Sequence, residues 1–178
     1  VRLRVDGTSK IDRWSNSSGY INRVLLGTLS GSHKVETDYY ENTGNAFVYS
    51  DIVPLGDWLA YYYNNEDLEG QPAKTRHISS DGPLSENNGD GSPISGIQSD
   101  HFSSKYVTAK HLKAGDYIVR GRADDGIQVL IDGKPIIDRW KNGSYKEDAV
   151  KVHISDNNGS DVHWIEVHYF ENTGESAI

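Results

Sequence analysis

No cysteine and no methionine occur among the 178 residues. Without thiolates, a disulfide framework, a cysteine-based zinc site and thiol catalysis are excluded. Without an initiator methionine, the sequence reads as a processed chain or an excised segment. Long hydrophobic runs are also missing. Hydrophobic residues make up 35%, mean hydropathy is −0.65, and no apolar stretch approaches the ~18 residues of a membrane span. Membrane insertion is therefore not expected, and Val1-Arg2-Leu3-Arg4 has no apolar signal-peptide core. Concentrated positive charge is lacking too. Asp plus Glu number 26 against 18 Lys plus Arg, giving −8, and the cations are scattered. Nucleic acids and anionic membrane surfaces both select a cationic footprint, so neither is an expected partner. The acidic excess serves solubility first, and a minority of the carboxylates are candidates for cation ligands. What is abundant is Gly (18) and Tyr (11), a composition that suits a secreted bacterial β-domain.

The chain repeats itself. Val1-Arg-Leu-Arg-Val-Asp-Gly-Thr-Ser-Lys-Ile-Asp-Arg-Trp14 lies over Ile127-Gln-Val-Leu-Ile-Asp-Gly-Lys-Pro-Ile-Ile-Asp-Arg-Trp140, at an offset of 126 residues. His33-Lys-Val-Glu-Thr-Asp-Tyr-Tyr-Glu-Asn-Thr-Gly44 lies over His163-Trp-Ile-Glu-Val-His-Tyr-Phe-Glu-Asn-Thr-Gly174, at an offset of 130. The four extra residues fall around Asp156-Asn-Asn-Gly-Ser-Asp161. A period of this size is a domain rather than a solenoid unit. Residues 1–50 then read as the back part of a preceding copy, 51–57 as a linker, and 58–178 as a complete copy.

Alternation at period two marks the strands. Asp116–Arg122 and Ile127–Ile131 are strand-like, and Asp132-Gly133 is a hairpin signal that joins the second to Pro135–Ile137. His163–Phe170 places Ile165, Val167 and Tyr169 on one face and Trp164, Glu166, His168 and Phe170 on the other. Trp58–Tyr63 fits a further strand. No segment sustains a helical stripe, so the expected fold is all-β, an antiparallel sandwich with long loops.

Several blocks, in order, then carry a resemblance. Trp58-Leu-Ala-Tyr-Tyr-Tyr-Asn-Asn65 with Leu68-Glu-Gly70, Arg76, Gly91-Ser-Pro93, Ser99-Asp-His-Phe-Ser103, Ala114-Gly-Asp-Tyr117, Ala123-Asp-Asp-Gly126, Ile131-Asp-Gly133, Ile137-Asp-Arg-Trp140 and His168-Tyr-Phe-Glu-Asn172 together resemble the PA14 domain family. That resemblance implies a jelly-roll-like β-sandwich of the kind found in bacterial glycosidases, adhesins, toxins and proteases and in yeast cell-wall adhesins. Its sugar-binding members hold one Ca²⁺ that contacts vicinal sugar hydroxyls. Carried over, the metal ligands would be Asp124 and Asp125, a pair often joined by a cis peptide, with Asn172 and the backbone of Gly174 and Ser176. Thr173, Gly174 and Glu175 would join Asp124, Asp125 and Asn172 in contacting the glycan.

The donor chemistry stands on its own terms. Successive strand side chains point to opposite faces, so the two aspartates converge only where the backbone bends. Two carboxylates and an amide offer hard oxygens that suit Ca²⁺ outside the cell. The competing reading makes Asp124-Asp125-Gly126 an ordinary turn. Asp156–Asp161 looks faintly like a calcium loop but lacks the glycine and the bidentate Glu of an EF-hand, and a polar hairpin accounts for it. Asn87-Asn-Gly-Asp-Gly-Ser92 reads as a flexible loop. The seven His residues show no ligand spacing; His33 and His163 match as structural positions, and Trp14 and Trp140 as packing positions.

No Gly-X-Ser-X-Gly elbow or phosphate loop occurs. Adjacent aspartates are also poorly placed for a glycosidase, whose two carboxylates sit about 5–9 Å apart. The expected function is a non-catalytic, calcium-dependent module for a cell-wall or extracellular polysaccharide, secreted or displayed on a bacterial surface. The alternative is a spacer or protein-interaction domain in a tandem array without a glycan. In either case residues 1–50, as part of a sandwich with an apolar face, are expected to fray, pack on the full copy or complete a neighbour by domain swapping.

Overall fold

The computed structural model describes residues 1–17, 21–79, 82–157 and 159–178. Its backbone is β-strand and loop, arranged as two compact units, Val1–Ile52 and Val53–Ile178. No helix long and apolar enough to cross a membrane occurs among the described residues.

The first unit is a three-stranded antiparallel sheet. β1 (Arg2–Val5) lies between β2 (Thr8–Asp12) and β3 (Val35–Asp38). Leu3 and Val5 alternate with Arg4 and are buried, the period-two pattern of a strand with one covered face. Arg4 spans to Asp38 at 2.7 Å. The β1–β2 turn is Asp6-Gly7, both left-handed with φ of 51° and 76°. Asp and Gly tolerate that conformation, and it matches the twist of a two-residue hairpin.

The second unit contains ten strands. β4 (Trp58–Tyr63), β5 (Lys74–Ile78), β7 (Phe102–His111), β9 (Gly126–Ile131), β10 (Lys134–Arg139) and β12 (Val162–Glu171) form one sheet in the order β10-β9-β12-β7-β4-β5. Two ribbons accompany it: β8 (Gly115–Ala123) with β11 (Lys146–Ile154), and β6 (Asn87–Gly89) with β13 (Ser176–Ala177). Trp58, Ala60 and Tyr62 of β4, Phe102 and Tyr106 of β7, and Val167 and Tyr169 of β12 project into one core with Ile127, Val129 and Ile137. Ala123 and Val119 of β8 close that core from the ribbon side. The ribbon needs a glycine there, because a Cβ on Gly121 would come within 2.9 Å of the Ile127 side chain.

The strands expected at Trp58–Tyr63, Asp116–Arg122, Ile127–Ile131 and His163–Phe170 are all present, and Ile165, Val167 and Tyr169 do share the core face. Gly56 and Asp57 are tied into the second unit, Gly56 N–H to the Ala109 carbonyl at 2.9 Å and Asp57 to His77 at 2.8 Å. Asp156–Asp161 is a tight β11–β12 turn in which Asn157 and Ser160 exchange backbone hydrogen bonds of 2.8 and 3.0 Å. Asn158 lies outside the described residues, and the Asp161 carboxylate is held by His111 at 2.8 Å.

The aligned segments of the two units share their internal geometry. Leu3 pairs with Ile11 as Val129 pairs with Ile137, and both hairpins shift register beside that pair. His33 Nδ1 lies 2.7 Å from Asp6, and His163 Nδ1 lies 2.6 Å from Asp132. Lys34 N–H donates to Asp6 at 2.9 Å, and Trp164 N–H donates to Asp132 at 3.0 Å. Trp14 packs on Tyr40 with ring centroids 4.8 Å apart, and Trp140 on Phe170 at 4.9 Å.

Candidate functional site

Strand β8 ends at Ala123, and the chain turns through Asp124 and Asp125 into β9. The peptide bond between the two aspartates is cis. Gly126 follows, where a Cβ would run into the Phe170 ring. Opposite the turn, the chain leaves β12 at Glu171 and passes through Asn172-Thr173-Gly174-Glu175 to β13. Asp124 and Ala177 form a bridge, with Asp124 N–H donating to the Ala177 carbonyl at 3.0 Å. The two segments, nearly fifty residues apart in sequence, are thus side by side.

Asp125 is 7% exposed, and both its oxygens are engaged. Oδ1 accepts the Gly143 N–H at 2.7 Å and Oδ2 the Asn172 N–H at 2.9 Å. A buried carboxylate needs such partners, since desolvation without them is costly. Each carboxylate oxygen carries a second lone pair, so neither contact prevents coordination of a cation. Asp124 is less covered. Partial burial, together with the negative charge of Asp125, pushes its carboxyl above the ordinary value, while a backbone hydrogen bond from Tyr145 works the other way. Two carboxylates that repel each other at a fixed turn are the electrostatic signature of a place that favours positive charge.

Arg139 sets the frame. It is buried, and its guanidinium donates to the Asp125 carbonyl at 2.6 Å, the Ala123 carbonyl at 3.2 Å, the Lys146 carbonyl at 3.3 Å and Asp148 Oδ2 at 2.7 Å. A rigid five-donor fork suits this task where a lysine would not. The guanidinium in turn holds the Asp148 carboxyl below its usual value.

Behind the pair lies a second acidic group. Glu171 is 0% exposed, and burial, aided by Asp125, Asp124 and Asp100, pushes its carboxyl up to about 7. Tyr169 Oη sits between the Asp124 carbonyl oxygen and Glu171 Oε2, 2.7 Å from the latter. One hydroxyl proton cannot serve two acceptors. The hydroxyl is therefore shared between the two, and Glu171 Oε1 is buried without a hydrogen-bond partner among the described residues.

Of the residues singled out by sequence, Asp124, Asp125 and Asn172 come together. Gly174 follows in the same turn with φ 111°, its N–H spent on Asp100 Oδ1 at 3.0 Å. Ser176 is buried in β13, and its hydroxyl oxygen accepts from the Asn88 amide at 3.0 Å. Thr173 and Glu175 are exposed. The segment Asn87–Ser92, read from the sequence as a flexible loop, begins instead as strand β6 because its backbone pairs with β13, and it reaches the site through this Asn88 contact. Arg139, Gly143, Tyr169, Glu171 and Asp100 were not anticipated as parts of the site. Arg139, Tyr169 and Glu171 had a legible signal, because they recur across the aligned segments as Arg13, Tyr39 and Glu41.

A donor set of two aspartates, one amide and carbonyls is all hard oxygen, which fits Ca²⁺. Among the described residues, no three His, Cys, Asp or Glu side chains converge as a metal cluster. The fit therefore rests on amide and carbonyl oxygens beside the aspartate pair.

This all-β unit, with its paired aspartates facing an Asn-Thr-Gly turn, defines a class: the family profile of the PA14 domain matches residues 56–177, and the chain belongs to that family. Among solved structures, an anti-sigma factor domain-containing protein from Clostridium clariflavum aligns over 99% of this chain and 68% of its own, with 20% identity and a TM-score of 0.57. A second anti-sigma factor domain-containing protein aligns over 67% of this chain at 23% identity and a TM-score of 0.57, and only 40% of that protein is covered. A PA14 sugar-binding domain from an RTX adhesin aligns over 70% of this chain and 88% of its own at 14% identity, with a TM-score of 0.54. At these identities the likeness concerns the fold. No curated protein matches the chain.

Proposed function

We propose that residues 53–178 are a calcium-dependent carbohydrate-binding module that acts outside the cell and does not itself catalyse a reaction. The observation that carries this reading is the approach of the Asp124–Asp125 turn to the Asn172–Gly174 turn, with Asp125 fixed from both sides by the Gly143 and Asn172 N–H groups. The sugar-binding domain of the RTX adhesin, similar in fold, supports the ligand class. Asp124, Asp125 and the Asn172 amide oxygen would hold Ca²⁺, with backbone carbonyls of the 174–176 segment completing the set. When bound, the ion supplies charge that relieves the repulsion between the aspartates, and open positions for vicinal hydroxyls. The chain's own part is positioning. Arg139 fixes the carbonyls on either side of Asp124, and the exposed Thr173 and Glu175 are free to meet the glycan. Both aspartates turned toward one cation are unsuited to the acid and nucleophile roles of a glycosidase.

A second inference concerns residues 1–52. Their matched hydrogen bonds, ring pair and register support their being the back part of another copy of the same repeat. Asn42 and Gly44 are then the counterparts of Asn172 and Gly174. Arrayed copies without a glycan would act as spacers.

A glycan array probed in calcium and again in chelator separates the readings. Binding that chelator abolishes is expected. Chelator-resistant binding contradicts the calcium assignment, and an all-negative array in calcium favours the spacer.

A further inference from the structure

Tyr145 stands out on the surface of the second unit. At 51% exposure it is the one exposed aromatic side chain among the described residues there. A single exposed ring is ordinary; what distinguishes this one is how it is held. Two residues earlier in its loop, the Gly143 N–H bonds Asp125 at 2.7 Å, and one residue later the Lys146 carbonyl accepts from Arg139 at 3.3 Å, so the segment between β10 and β11 is held beside the aspartate turn. The ring itself lies over Arg122, with the guanidinium carbon 5.3 Å from its centroid. Arg122 is pinned in turn by Glu147 at 2.8 Å, its cross-strand partner in the β8–β11 ribbon.

The placement follows from the chain path. Arg122 lies near the end of β8, two residues before Asp124, and supports one face of the Tyr145 ring. The ring thus stands beside the turn that carries the aspartate pair, on the segment that binds Asp125. An aromatic ring with few rotatable bonds gives contact area at little entropic cost, and a platform fixed before binding loses less again.

We infer that Tyr145, backed by Arg122, is a second sugar subsite that takes the residue next to the one held at Asp124 and Asp125, so that the ligand is an oligosaccharide rather than a single terminal sugar. This rests on the carbohydrate-binding reading above and adds the ligand's length and the residue that reads it. The stacked sugar presents its C–H face to the ring, and no charge on the glycan is required because Arg122 is already neutralised by Glu147.

The test is titration calorimetry of the full chain in calcium, with the methyl glycosides of mannose, galactose, glucose and xylose and the matching tetrasaccharides, for wild type, Tyr145→Ala and Tyr145→Phe. The expected result is tighter wild-type binding of a tetrasaccharide than of its methyl glycoside. Tyr145→Ala should weaken the tetrasaccharide about tenfold, equivalent to about 1.4 kcal/mol, and change the monosaccharide less than twofold. Calcium affinity should stay the same in both variants, and Tyr145→Phe should retain most of the gain. Equal affinity for short and long sugars overturns the subsite, as does a tetrasaccharide affinity indifferent to Tyr145→Ala; neither touches the calcium reading. A Tyr145→Ala chain that also loses calcium assigns the residue to the integrity of the loop and overturns the subsite. Wild type that binds calcium but no sugar on this panel or on the array overturns both the subsite and the carbohydrate reading.

Discussion

The Asp6–His33 and Asp132–His163 pairs make the same hydrogen bonds at nearly the same distances, yet their surroundings differ. The His33 side chain is 25% exposed and that of His163 2%. Tyr39, in the position of Tyr169, is 37% exposed, whereas Tyr169 is 1% exposed. The difference is what lies beside the shared strands. In the second unit β12 is flanked by β9 and β7, whereas among the described residues β3 pairs with β1 alone. The local motif therefore forms from its own turn, caps and ring pair, while burial is supplied by the neighbouring strands. The aspartate turn lies in the second unit, and the functional reading follows it.

Each side of this comparison can be broken. The largest effect is expected at Asp125. Asp125→Ala strands two N–H groups in a covered place, at roughly 1–3 kcal/mol each, so chemical denaturation in chelator should show a loss of about 2–6 kcal/mol. Next come the matched aspartates. Asp132→Ala leaves the buried His163 without its partner and should cost about 1–3 kcal/mol. Asp6→Ala removes the same bonds from an exposed site and should cost distinctly less. Equal losses would mean that burial does not separate the two copies. Gly126→Ala forces a methyl into the Phe170 ring and should lower stability by about 1–3 kcal/mol, read as a fall in melting temperature.

The smallest effect is a pH dependence. The Asp6 hydrogen bond raises His33 above its ordinary 6.5, and His33 together with the Lys34 N–H lowers Asp6 below 3.8. A raised histidine stabilises fully below its unfolded value and loses that support as pH rises through the folded one. A lowered aspartate stabilises above its unfolded value and loses that support as pH falls through the folded one. The pair should therefore contribute most between about pH 3.8 and 6.5, and His33→Ala should flatten the pH profile of the melting temperature at the edges of that window.

Much of this was legible beforehand for definite reasons. Asp132-Gly133 between alternating runs specifies a hairpin, and β12 alternates because its two faces meet different environments. β7 was not legible. Phe-Ser-Ser-Lys-Tyr-Val-Thr-Ala-Lys-His carries Ser103, Ser104 and Thr108, which sequence alone would place in water. They are buried because β7 lies between β12 and β4. At the site, the aspartate pair and Asn172 were legible because their side chains name their chemistry. The role of Gly143 was not, because it acts through a backbone N–H group, which every residue but proline possesses. Glu171 recurs as Glu41, but nothing in the sequence shows the burial that makes it the most perturbed carboxyl of the site.

The central claim is that the second unit carries a calcium site built on Asp124, Asp125 and Asn172. Titration calorimetry of calcium into the whole chain tests it most directly, with Asn172→Ala and Asn42→Ala as the matched pair. The account predicts one ion per chain, affinity lost in Asn172→Ala and unchanged in Asn42→Ala. Absence of binding, two equivalent ions, or loss on changing Asn42 would contradict it.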